Sequence, residues 1–156
     1  MPEAAVYVLE KMAHGYRRMG RACGGGFYDY PSDGEKSLWP GLQAFERARG
    51  KVSLDDVRDR LLYVQSLETI RCVEEGIVET ARDANIGSIL GWGFPAWTGG
   101  TLRFIDHTGA QRFAERAHEL ARTHGARFEP PALLERHARS GEPIGDASFT
   151  EGVASA

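Results

Sequence analysis

Apolar residues recur at helical spacing over residues 53–82, and this run constrains the fold more than any other feature of the sequence. The stripe consists of Val57, Leu61, Val64, Leu67, Ile70, Val73 and Ile77. A recurrence every three or four residues predicts one amphipathic helix of roughly 40 Å that begins after an N-cap at Ser53 and ends near Arg82. Such a helix needs partners for its apolar face, so the other elements are expected to pack around it.

Charged and apolar neighbours support this long helix. Asp55 and Asp56 fall in its first turn, where carboxylates interact favourably with the helix dipole. Asp56 and Arg60 are spaced as an i,i+4 ion pair. Further apolar residues widen the stripe and predict packing on two sides; they are Leu62, Cys72 and Val78.

Residues 85–102 are uncharged, although 26% of the chain is charged. The stretch contains five glycines and four bulky or rigid residues: Trp92, Phe94, Pro95 and Trp97. Aromatic rings favour burial and glycine permits close backbone approach, whereas Pro95 and the glycines argue against a membrane span. We interpret the stretch as a packing corner whose tryptophans and proline set the angle between helices. The alternative is the wall of a ligand cleft whose chemistry lies elsewhere.

The remaining segments favour short helices and no sheet. Helices are predicted over residues 3–14, 84–90, 111–124 and 132–139, with one more capped by Thr98 and ending near Gly109. The helix over 111–124 is expected to end at Gly125 and the helix over 132–139 to follow Pro130-Pro131. The residues expected to face inward on these two helices are Phe113, Ala117, Leu120, Ala121, Leu133 and Leu134. Residues 27–30 are expected to be extended without forming a proper strand, and residues 31–34 to turn. The chain after Gly141 is expected to be weakly ordered. The predicted fold class is therefore all-α, with one long central helix and several shorter packed helices.

Composition limits the classes of partner and compartment. A net charge of −3 and a pI near 6.0 give no electrostatic reason to expect nucleic acid or an anionic membrane. Cys23 and Cys72 form no metal-type spacing, and Cys72 is expected to be a buried, reduced thiol. The first 16 residues do not resemble a signal peptide. These features predict a cytoplasmic or similarly reducing compartment.

Motifs of catalysis and cofactor binding are weak. Gly91-x-Gly93-x-x-Ala96 matches a dinucleotide fingerprint in letters, but no strand is predicted before it and Pro95 stands where the helix would begin. The five histidines are interpreted as surface residues, and His118 and His124 are six residues apart, on opposite helix faces. Asp106-His107 is either an acid–base pair or a solvated helix end. We predict no catalytic, cofactor-binding or metal-binding residue in this chain.

Two short segments resemble each other. LEKMAH at residues 9–14 matches LERHAR at residues 134–139, and each follows a proline-containing lead-in and precedes a glycine. The match indicates either an internal repeat or chance similarity between two helices.

A series of motifs, in order, resembles the C-terminal helical repeats of 3-hydroxyacyl-CoA dehydrogenases. GGGFYDY at 24–30 and LWPGL at 38–42 are similar to the close of the first repeat. DRLL at 59–62, EEG at 74–76, ANIG at 84–87 and GFPAWTGG at 93–100 are similar to the second repeat. That second repeat is typical of the multifunctional proteins of fatty-acid β-oxidation. The resemblance extends to about Gly141 and also accounts for the internal repeat.

The resemblance implies a domain plan and a fold. Residues 1–30 would end the first repeat, 31–52 would be a linker, 53–141 would form the second repeat and 142–156 a tail. The fold would be a helical domain like the C-terminal domain of 6-phosphogluconate dehydrogenase. The implied partners are a Rossmann domain, a first helical repeat and acyl-CoA, with NAD bound by the parent enzyme and no cofactor bound by this chain.

The resemblance transfers no catalytic residue to this chain. The family's His–Glu pair belongs to the Rossmann domain, and its assisting Asn matches Asp59 here. The candidates are therefore interface or cleft-wall residues: Asp59, Asn85, Gly93, Phe94, Pro95, Trp97, Gly99 and Gly100.

Two functional hypotheses follow from this reading. The first is a packing and dimerisation domain of a 3-hydroxyacyl-CoA dehydrogenase that supports the acyl-CoA cleft. The second is a small stand-alone acyl-binding or enzymatic protein that uses the corner at Trp92 and Trp97 as its pocket.

Overall fold

The computed structural model describes residues 3–46 and 52–145, which form two compact units, Met1–Lys51 and Val52–Ala156. Helices dominate both described ranges, so the predicted all-α class is confirmed. The more specific likeness to the 6-phosphogluconate dehydrogenase C-terminal domain stays a prediction, as does the division of the chain into repeats. None of the helices in the described ranges is long and apolar enough to cross a membrane.

The first unit combines one helix with a small hairpin. Helix α1 spans Glu3–Glu10 and continues as a π-helical turn over Lys11–Gly15. Strand β1, Tyr28–Asp29, pairs antiparallel with β2, Ser37–Leu38, and a 3₁₀ segment follows at Pro40–Phe45. The turn predicted over residues 31–34 lies between the two strands. The expectation of no sheet is wrong for the four paired strand residues, 28–29 and 37–38.

Arg18 explains why this short hairpin forms. Its guanidinium donates hydrogen bonds to the carbonyls of Gly26 at 2.8 Å and Tyr28 at 3.1 Å, and it forms an ion pair with Asp29. The same group lies 4.6 Å from the centre of the Trp39 ring. The Arg18 side chain thus stabilises an extended segment through contacts with residues eight or more positions away. The alternation of apolar and polar residues in that segment is too short to predict a strand.

In its described residues, 52–145, the second unit contains five α-helices around one core. They are α2 Leu54–Glu74, α3 Ala81–Trp92, α4 Thr101–Thr108, α5 Ala110–His124 and α6 Ala132–Ser140, with 3₁₀ turns at Ala96–Thr98 and Ala126–Phe128. The largest core side chains include Leu67, Ile70, Leu102, Ile105, Phe113, Leu120, Phe128 and Leu134. Burying each of them fully contributes about 1.5–3 kcal/mol. The predicted inward faces of the last two helices are confirmed.

The predicted long helix is broken, so its expected end near Arg82 is wrong. Helix α2 ends at Glu74, Gly76 adopts φ = +70°, and Ile77 is 67% exposed. The amides of Ile77 and Val78 donate to the Cys72 carbonyl at 2.8 and 3.2 Å, which closes the helix end. Helix α3 then begins after its N-cap, Thr80, whose hydroxyl accepts a hydrogen bond from the Asp83 amide at 3.0 Å.

Ile144 and Gly145 are packed into the fold, so the expectation of weak order after Gly141 is wrong for these two residues. The Ile144 side chain is fully buried in the core of the second unit. The Asp106 carboxylate accepts hydrogen bonds from the amides of Ile144 and Gly145, both at 2.8 Å. Asp106 therefore holds the segment after α6. Its predicted roles were an acid–base pair with His107 or a solvated helix end.

Candidate functional site

Asn85 organises the corner that the uncharged stretch forms. Its side chain is buried on α3, and its Oδ1 accepts hydrogen bonds from the amides of Leu102 at 3.0 Å and Arg103 at 3.2 Å. Its Nδ2 donates to the Gly145 carbonyl at 3.1 Å. The first amides of a helix have no partner within the helix, so Asn85 caps α4 from a neighbouring helix and also holds the segment after α6.

Ser88 and Thr98 form hydrogen bonds with further backbone groups of the corner. Ser88 Oγ donates to the Asn85 carbonyl at 2.8 Å and accepts from the Thr101 amide at 3.3 Å. Thr98 Oγ1 donates to the Pro95 carbonyl at 2.7 Å and accepts from the Gly100 amide at 3.1 Å. Thr98 was predicted to be the N-cap of α4, but Gly100 occupies the N-cap position and the helix begins at Thr101.

The three glycines among the candidate residues all have positive φ, and Gly100 also permits the start of α4 to approach α3 closely. A Cβ atom at Gly100 would lie 2.5 Å from the Cα of Asn85, and Gly100 has φ = +112°. Gly93, with φ = +77°, ends α3, and Gly99 has φ = +79°. Among the residues that the structure describes, no neighbouring atom lies within 4 Å of a Cβ at Gly93, so glycine is required there for its conformation and not for space.

The aromatic residues of the corner divide into buried and exposed. Phe94 is buried and contacts Phe104 edge-on, with ring centres 6.1 Å apart, and Pro95 is half-buried. Trp92 and Trp97 are 57% and 76% exposed, so their expected burial is wrong. The side chain of Asn85, the approach at Gly100 and the ring of Phe94 make the contacts that join the helices at this corner.

Asp59 belongs to an ion-pair cluster between α2 and α5. Arg116 on α5 donates from Nε to Asp59 at 3.1 Å, from Nη2 to Asp56 at 3.1 Å and from Nη1 to Glu119 at 3.1 Å. Burial alone would lower the pKa of Arg116, but its hydrogen bonds to Glu119, Asp59 and Asp56 outweigh burial and raise that pKa. The predicted Asp56–Arg60 pair is present at 3.3 Å. Asp59 therefore fastens two helices together.

A cleft of about 850 Å³ opens beside the Arg116 cluster, and we call it the Tyr63 cleft. Its walls come from α2, α4, α5 and the turn at Trp97; they are Arg58, Asp59, Leu62, Tyr63, Trp97, Phe104, His107, Thr108, Arg112, Glu115, Arg116 and Glu119. Trp92 is not among them, so the two tryptophans of the corner do not share this cleft. Sequence analysis did not find this cleft, because its walls come from segments far apart in the sequence.

Tyr63 forms part of the floor of the cleft. Its buried ring stacks on Phe113 with centres 4.0 Å apart and an angle of 3°, and it meets Phe104 edge-on at 6.0 Å. Burial, reinforced by the charge of Asp59, raises the pKa of Tyr63 to about 12. The phenol is thus a neutral hydrogen-bond donor at physiological pH.

The histidines do not assemble a metal site within residues 3–46 and 52–145, where no group of three potential ligands is found. His118 hydrogen bonds to Glu135 at 2.9 Å through Nε2, and its other ring nitrogen lies 3.8 Å from Glu129. His124 is half-buried, with Nε2 3.8 Å from Asp56. These contacts join neighbouring elements of the fold.

The sequence of this chain is similar to parts of two bacterial proteins of fatty acid oxidation. No protein-family model matches the chain. The fatty acid oxidation complex subunit alpha of Pseudomonas syringae pv. syringae is 36% identical over 144 residues, which cover 86% of this chain and 20% of the relative. That of Pseudomonas paraeruginosa is 38% identical over 133 residues, 80% of this chain and 18% of the relative.

The chain is homologous to a segment of these alpha subunits. It spans about a fifth of the length of the relatives it matches. The resemblance predicted from the ordered motifs, to the multifunctional proteins of fatty-acid β-oxidation, is confirmed. The roles of the individual corner residues are not tested by these relatives and remain predictions.

Proposed function

We propose that this chain is the C-terminal helical domain of a 3-hydroxyacyl-CoA dehydrogenase of the fatty-acid β-oxidation type. In this role it packs against the rest of the enzyme and supports the acyl-CoA cleft, and it does not catalyse the reaction alone. The similarity to a fifth of the fatty acid oxidation alpha subunits supports this proposal.

An exposed apolar face on α3 is the observation that carries the packing role. Leu90 is 80% exposed, and Ile86, one turn earlier on the same face of this helix, is also exposed. At Gly87 and Gly91 no atom of residues 3–46 or 52–145 lies within 4 Å of the place a Cβ would occupy, so a partner's backbone can approach closely. Exposed apolar side chains grouped on one face are typical of a protein interface.

The parent enzyme would supply the parts that this chain lacks. A Rossmann domain would bind NAD and carry the family's His–Glu pair, and the first helical repeat would carry the assisting Asn. The matching residue here is Asp59, whose carboxylate is engaged by Arg116. In this assignment residues 1–30 end the first repeat and 53–141 form the second, and the enzyme acts in the cytoplasm.

A hydride-transfer assay tests the catalytic part of this proposal. The purified 156-residue chain is mixed with acetoacetyl-CoA and NADH, and NADH absorbance is followed. We expect no turnover, because the catalytic pair and the NAD site belong to another domain. Turnover that co-purifies with the chain would refute the proposal and support a stand-alone enzyme.

Association tests the packing part. Without its partner domain, the chain is expected to form a homodimer through the α3 face, as measured by light scattering. Leu90→Ser should weaken this dimer, whereas Leu54→Ser, at a leucine that is 85% exposed on α2, should not. A monomer at high concentration, or equal effects of both substitutions, would contradict an interface at this face.

A further inference from the structure

The Tyr63 cleft has the form of a small-molecule site. Its floor contains the buried side chains of Leu62 and Tyr63 and the half-buried ring of Phe104. Trp97 stands at its edge with 76% of its surface exposed. A volume of about 850 Å³ lies within the range of ligand pockets, which combine apolar floors with a few polar groups.

The acidic residues of the cleft wall already have partners. Asp59 and Glu119 each receive a hydrogen bond from Arg116 at 3.1 Å. Glu115 receives one from the Gln111 amide at 3.0 Å. The positive charge of Arg116 offsets part of the repulsion that Asp59 and Glu119 would exert on an anion in the cleft, whereas the neutral Gln111 leaves the charge of Glu115 in place.

Two arginines of the wall are available to a ligand. Arg112 is exposed and forms no ion pair or hydrogen bond with any residue that the structure describes. Within the described part of the chain, Arg58 forms one ion pair, at 3.0 Å with Asp55 outside the cleft, and both side chains are mostly exposed. An exposed pair of this kind contributes about 0–1 kcal/mol, so Arg58 is easily drawn to a ligand.

We propose that the Tyr63 cleft binds a nucleoside phosphate. The planar base would lie against the exposed face of Trp97, since aromatic rings stack on bases of any kind. The phosphate would lie on Arg112, with Arg58 as a second cation, because the guanidinium fork matches phosphate oxygens. This inference goes beyond the proposed function and does not depend on it.

Titration of the full chain with adenosine 5′-monophosphate tests the inference by calorimetry. We expect saturable binding, with adenosine and inorganic phosphate each binding more weakly because each offers only half of the contacts. Trp97→Ala and Arg112→Gln should each raise the Kd about tenfold, which corresponds to 1.4 kcal/mol. Their matched controls are Trp92→Ala and Arg122→Gln, at an exposed tryptophan and an exposed arginine outside the cleft, and these should leave the Kd unchanged.

Several results would overturn the inference. One is the absence of saturable binding, and another is inorganic phosphate binding as tightly as the nucleotide, which would indicate simple charge attraction. Equal losses in the Trp92 and Trp97 variants, or none in Arg112→Gln, would place the ligand elsewhere. All four side chains are exposed, so folding is expected to survive; circular dichroism checks this, and Trp97→Phe provides a milder variant that keeps a stacking surface.

Discussion

Replacing Asn85 by alanine tests whether this side chain holds the corner together. The substitution removes three hydrogen bonds, two from amides at the start of α4 and one to the Gly145 carbonyl. A typical intramolecular hydrogen bond contributes about 0.5–1.5 kcal/mol, and a buried group left without a partner costs about 1–3 kcal/mol. Because Asn85 and Leu102 are both buried, water cannot easily replace the lost partner. We therefore expect a loss of about 3 kcal/mol in the free energy of unfolding.

Urea unfolding measures this loss, provided that the free energy of unfolding falls with urea concentration at the same slope in both proteins. Ser88→Ala is a graded comparison and should cost about 1 kcal/mol, since its bond to the Thr101 amide is long at 3.3 Å. Arg82→Ala, at an exposed position of the same helix, should change stability by less than about 0.5 kcal/mol. An Asn85→Ala protein within about 0.5 kcal/mol of the wild type would refute the idea that this residue joins the three segments.

Two further predictions concern glycine and pH. Gly100→Ala should destabilise the fold more than Gly93→Ala, because a Cβ at Gly100 meets Asn85 at 2.5 Å whereas one at Gly93 meets nothing. Gly93→Ala should cost about 1–2 kcal/mol from its positive φ alone, and equal effects in urea unfolding would contradict this. Folding raises the pKa of Tyr63 from 10.0 to about 12, so its stabilising contribution is complete below pH 10 and is lost as the pH rises toward 12. Tyr63→Phe should flatten the fall in stability over that range, and an unchanged pH profile would show that the phenol is not buried as described.

Local signals predicted several elements well. Gly125 and the pair Pro130-Pro131 bound α5 and α6 as expected, and Leu133 and Leu134 are buried. Helix formation depends on contacts between residues three or four apart, so a regular period and a clear stop signal are readable from the sequence.

At the break after α2, two local signals in the sequence predict different structures. Gly76 and the Thr80-x-x-Asp83 pattern both mark helix ends, and the structure uses both. The apolar period continues through Ile77, however, and it predicted one uninterrupted helix. The amides of Ile77 and Val78 bond to Cys72 at the helix end instead, and that turn leaves Ile77 exposed. The stop signals in the sequence were therefore better guides than the period.

The candidate site was predictable only in part. An uncharged, glycine-rich stretch marked residues 85–102 as a corner, and the order of its motifs led to the right group of proteins. The partners of Asn85 lie 17 to 60 residues away, and those of Arg116 on α2 lie 57 and 60 residues away. No local pattern specifies which distant amide or carboxylate a side chain will meet.

The sequence by itself determined the helical class, the main helix faces and the kinship with fatty-acid oxidation alpha subunits, because these depend on period, stop signals and ordered motifs. Only the tertiary structure decided that Asn85 caps a neighbouring helix and that Trp92 and Trp97 stay exposed. Nor did the sequence reveal that Ile144 joins the core. Burial and hydrogen bonding at these positions depend on which elements pack together, and that packing is a property of the whole fold.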